Sequence, residues 1–160
     1  MDIKPTLKCQ YRATLTMLKE AIEVCPEELW TEGTKNRPFW RIAYHTLFYT
    51  HWYLMQTAED VIHWDKDIPD MASLWQPVPD DTVYSRKEIL SYWKQVNGLL
   101  DLAIDSMDLT ASDCGFSWYK VTKLDHQFVN LRHAQQHVGQ LSELLMAAGV
   151  ETKWVGGRRS

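Results

Sequence analysis

Residues 124–148 read LDHQFVNLRHAQQHVGQLSELLMAA, and this stretch decides how the chain folds. Leu124, Phe128, Leu131, Ala134, Val138, Leu141, Leu145 and Ala148 recur at steps of three and four, the spacing of a helix seam packed among other helices. Thr122, with Asp125 three residues on, predicts the start of the helix, and Gly149 its end. Within it His133 and His137 stand one turn apart, so both imidazoles aim at one point. On a helical wheel they lie about 100° from the centre of the apolar seam, on a flank shared with His126, Asn130 and Leu144. That position lines a space between helices.

Three more helices follow from the same pattern. Leu7, Tyr11, Leu15, Leu18 and Ile22 predict a first helix over about residues 6–24, ended by Pro26. Pro38 opens a second, running to about Glu59 and apolar nearly all round, as a centrally packed helix is. Ser85 and Glu88 form a capping box for a third, whose stripe is Ile89, Trp93, Val96, Leu100, Ala103 and Met107. Between the second and third lies a long loop, Asp60 to Tyr84, with three prolines and six acidic residues, which Trp64 and Trp75 are expected to pin. No strand alternation competes. The expectation is an all-α four-helix bundle, one domain over 1–160, with that long loop between helices two and three.

Composition narrows the function classes. The chain has 160 residues, 45% hydrophobic and 24% charged, with a formal net charge of -4. It lacks a Lys/Arg patch, and Arg158-Arg159 is too short to make one, so nucleic acid is not an expected partner. No run of about 18 apolar residues predicts a membrane span, and no leader pattern follows Met1. Cys9, Cys25 and Cys114 are odd in number and far apart, which fits buried thiols in a reducing, cytoplasmic setting. The end from Glu151 to Ser160 reads as a mobile tail apart from Trp154.

Two neutral imidazoles converging on one point suit a divalent metal if a third ligand reaches them. His45 and His51, six residues apart, occupy different faces of the second helix, and spacing does not choose between them. His63 falls past the helix end. His126 is two turns below the pair, about 10 Å along the axis, and is expected to be satisfied or solvent-facing. Other schemes fail on spacing. Ala134 follows His133, so the zincin glutamate is missing. Glu-x-x-His is absent, as are a glycine-rich phosphate loop and a G-x-S-x-G elbow.

The stretch Asn130 to Leu141 strongly resembles the last-helix motif of the DinB/YfiT-like superfamily, and Arg41 to Thr50 resembles its second-helix segment. The resemblance implies a four-helix bundle, a homodimer, and a three-histidine site for a divalent ion, with His45, His133 and His137 as ligands. The ion would be zinc or nickel, with iron as a further candidate. Tyr49, Trp52, Gln56 and Asn130 are candidate pocket residues. The function implied is S-transfer to a small-molecule substrate from a low-molecular-weight thiol of the bacillithiol or mycothiol type. The alternatives are a metal-dependent hydrolase, with Glu59, Asp60 or a loop carboxylate as base, and a non-catalytic, stress-related metal-binding bundle.

Overall fold

Thr122 begins the last helix as the sequence predicts: its Oγ1 accepts the Asp125 backbone N–H at 3.2 Å. In this computed structural model, which describes residues 2–34 and 36–157, α5 runs Lys123–Ala147. Gly149, at φ +77°, closes it; its N–H reaches the Met146 carbonyl, and the Val150 N–H reaches that of Leu145. The other long helices are α1 (Lys4–Val24), α3 (Phe39–Tyr53) and α4 (Arg86–Ser106). The Ser85–Glu88 capping box of α4 is present in both directions.

Among the described residues the chain is all-α apart from one hairpin of two-residue strands. α1 packs on α4 and α5, and α3 packs on the same two helices. Between α1 and α3 the chain forms a short α2 (Glu27–Trp30), then β1 (Gly33–Thr34) paired antiparallel with β2 (Arg37–Pro38). The connection between the first two long helices therefore carries structure of its own. One core unites Leu15, Leu18, Ile22, Trp40, Tyr44, Leu47, Tyr92, Val96, Leu100, Val138 and Leu141.

Four expectations are corrected. α3 stops at Tyr53 rather than near Glu59. The carbonyls of Met55 and Gln56, which further helix would have used, accept instead from the buried Lys123 ammonium, and Ala58 N–H pairs with Gly115. In α5 the buried face runs through Lys123, His126, Gln127 and Asn130, while Phe128 is 47% exposed. In α4 Tyr92 and Ile104 take core positions, and Trp93 and Ala103 are only half-buried. The long loop is pinned by Trp64, stacked on Tyr92, but not by Trp75, which is 80% exposed under the Arg37 guanidinium.

Arg41 is the loop's main anchor. It is 0% exposed, and its five N–H donors all meet carbonyls: Met71, Asn36, Gln76, Asp70 and Pro77. A buried guanidinium held by backbone dipoles fixes the loop over the start of α3. Residues 151–157 have no regular structure and Trp154 is exposed; Arg158-Arg159 and the rest of the expected tail lie outside the described residues. No helix among the described residues is long and apolar enough to cross a membrane.

Candidate metal centre

α3 and α5 pack along their lengths, and that contact brings three histidines together. His45 sits two turns into α3; His133 and His137 share one face of α5. His45 Nε2 is 3.0 Å from His133 Nε2, and His137 Nε2 is 3.1 Å from the same atom. The ligand atoms of all three lie within 4.8 Å of one another. Separations of this size let three nitrogens bond one ion about 2.1 Å away.

The partners of the far ring nitrogens test the fit. His45 Nδ1 meets the Ala72 carbonyl at 2.6 Å, and a carbonyl only accepts, so Nδ1 carries the hydrogen. His137 Nδ1 likewise meets Gln140 Oε1 at 2.7 Å. Both Nε2 atoms therefore present lone pairs to the common point, as a metal requires. His133 Nε2 is the third atom at that point, and its Nδ1 has no hydrogen-bond partner. Burial, reinforced by the neighbouring histidines, pulls His45 down to about 3 and His133 to about 4, and burial lowers His137 as well. All three are neutral at pH 7, the state that binds metal. The residues present fit a divalent ion.

The remaining histidines do not join. His51 faces α4, where its Nδ1 is 3.1 Å from the Tyr92 hydroxyl. His126 is 0% exposed among Tyr53, Phe116 and Tyr119, and neither nitrogen has a partner; the expectation that it is satisfied or solvent-facing is overturned. His63, half-exposed, pairs through Nδ1 with Asp67 Oδ2 at 3.2 Å.

Of the pocket candidates, Tyr49 is at the centre, its ring 4.7 Å from that of His45 and 5.3 Å from that of His133. Trp52 joins Tyr49 and Phe48 in lining an adjoining cavity of about 280 Å³. Gln56 does not reach the site: its Oε1 accepts the Asp108 N–H, and it borders a separate apolar cavity of about 570 Å³ with His51. Asn130 lies in the core, its Nδ2 donating to the Thr50 carbonyl. Asp60, a suggested base, is used in capping Thr57.

Several contributors escaped sequence reasoning. Gln140 was findable, since i and i+3 share a helix face. The Ala72 carbonyl belongs to the loop and left no signal. Arg37, beside the centre, places a positive charge near His45 and His137 and helps depress both. Arg132, next to the motif, is exposed. No protein-family model, curated protein or solved structure matches the chain.

Proposed function

We propose that the chain is a DinB-like four-helix bundle whose His45, His133 and His137 hold a divalent ion, zinc or nickel, and that it transfers the sulfur of a low-molecular-weight thiol to a small electrophile. Pairing of two chains belongs to the same reading. The observation that carries it is the convergence of three Nε2 atoms, two of them fixed as lone-pair donors by Ala72 and Gln140. Bound there, a divalent ion lowers the pKa of a thiol or water toward neutrality.

The chain's own groups do the rest. Tyr49 closes one side of the ligand set and, with Phe48 and Trp52, offers an aromatic wall to the substrate. Arg37 supplies a positive charge that would favour an anionic group on the thiol or on the electrophile. Gln140 and the Ala72 carbonyl keep two ligand rings from turning.

The test is elemental analysis of tag-free protein, followed by incubation of the zinc- and nickel-loaded forms with bacillithiol, mycothiol or cysteine and monobromobimane. Catalysed conjugation that requires His133 is expected. No rate above background with any thiol removes the transferase reading, and ester turnover without thiol would replace it by hydrolysis.

A further inference from the structure

The cavity beside the centre holds an acid–base pair that the metal ligands do not use. Asp67 lies between two partners. On its inner side the buried Tyr44 hydroxyl donates to Oδ1. On its outer side Oδ2 is 3.2 Å from His63 Nδ1. Burial and the Asp67 charge raise the Tyr44 pKa, so the phenol remains a donor and holds the carboxylate in place. A carboxylate only accepts, so His63 carries its hydrogen on Nδ1 and leaves Nε2 with a free lone pair. The imidazole stacks on Phe48 at 5.9 Å with an interplanar angle of 29°, which fixes its plane as Asp67 fixes its tautomer. His63 and Asp67 line the same cavity as Phe48, Tyr49 and Trp52, and Tyr49 is the ring packed on His45 and His133.

We propose that His63 is the proton acceptor of this site, oriented by Asp67 and Tyr44, for a small substrate that carries a thiol or hydroxyl and rests a planar group on Phe48, Tyr49 and Trp52. The identity of the proton donor rests on the reading of the centre given above. In the step, the S–H bond breaks and its proton moves to His63 Nε2. The electron pair stays on sulfur and forms the new bond to the electrophile, whose leaving group departs with its own pair. The imidazolium, paired with Asp67, then returns its proton to the leaving group or to water. An exposed loop histidine and a half-buried loop aspartate thus become functional through a buried tyrosine, the order of support seen where an acid orients a catalytic imidazole. Besides Asp67, the titratable and charged groups facing His63 are Asp65 and Asp70 from the loop, His51 from α3 and Lys94 from α4.

The experiment uses the full chain with His63→Gln and Asp67→Asn. The first reading is the His63 tautomer in metal-free protein, by nitrogen-15 NMR. Wild type should show Nδ1 protonated and Nε2 bare; Asp67→Asn, whose amide would donate to Nδ1, should reverse this. The second is conjugation of cysteine to monobromobimane by zinc-loaded protein. His63→Gln should lower kcat about 100-fold, with KM for the bimane and zinc content unchanged. A protonated Nε2 in wild type, or His63→Gln at the wild-type rate, overturns the proposal. If neither thiol conjugation nor ester turnover occurs, the reading of the centre fails, and the tautomer alone decides the Tyr44–Asp67–His63 pairing.

Discussion

α5 presents buried histidine to α3 at two levels, and the two levels are built differently. At the upper level His133 and His137 meet His45, with the far nitrogens of His45 and His137 bonded to oxygen. At the lower level His126, two turns away, is enclosed by aromatic rings and by Lys123, with neither nitrogen bonded. Both levels are neutral at pH 7, since burial, the largest cause at each, pulls His126 to about 4 as it does His133. Burial and charge state therefore do not distinguish a ligand from a core histidine. For His45 and His137 the partner of the nitrogen that would not touch the metal does so; His133 Nδ1 has no partner, and His133 is set apart from His126 only by its Nε2 meeting the other two.

The strongest break of this comparison is removal of a ligand. His133→Ala should weaken zinc binding by more than about 100-fold, beyond the 10–100-fold range of supporting contacts. Competition against a chelator reads it. His126→Phe should leave the same affinity within about twofold; an equal loss would erase the distinction.

Acid treats both levels alike. In the unfolded chain these histidines titrate near 6.5; in the folded chain burial pulls His45 to about 3 and His133 and His126 to about 4, and it lowers His137 as well. Between those values the unfolded state binds more protons, so stability is complete above about pH 6.5 and falls as pH drops through the window. Urea unfolding of metal-free protein at pH 7 and pH 5 should differ by up to about 2 kcal/mol for each of His45, His126 and His133. A flat profile would show that the buried histidines titrate as they do in water.

A smaller effect sharpens the upper level. Gln140→Leu removes the acceptor of His137 Nδ1 and should weaken zinc binding about tenfold with little change in melting temperature. The smallest belongs to the lower level. His126→Phe keeps the aromatic packing and removes two unpartnered polar atoms, so thermal unfolding should shift by less than about 1 kcal/mol, toward greater stability.

The sequence made one part of this site legible and hid the rest. Spacing alone placed His133 and His137 on one face, and the caps of α4 and α5 were readable because capping needs only local residue types. The choice of His45 over His51 was not periodic; it came from resemblance. The structure separates them by neighbour: His45 faces α5, and His51 meets Tyr92 of α4. The seam of α5 was misread for a related reason. Hydropathy favoured Leu124 and Phe128, but the α3 end offers carbonyls of Tyr53, Thr50, Met55 and Gln56, and Gln127, Asn130 and Lys123 are buried against them. Backbone acceptors carry no letter in a sequence. The same blindness hid Ala72, and it kept the loop pair His63 and Asp67 anonymous.

The Arg41 anchor sets an order of events during synthesis. The Ala72 carbonyl that orients His45 belongs to a loop held by Arg41, and the other two ligands follow some sixty residues later in the chain. A nascent polypeptide emerging from the ribosome therefore exposes a lone imidazole long before it owns a trap. Any cation held by the three histidines would have to wait until α5 is made, and copies that stop short of it would have little means to scavenge metal.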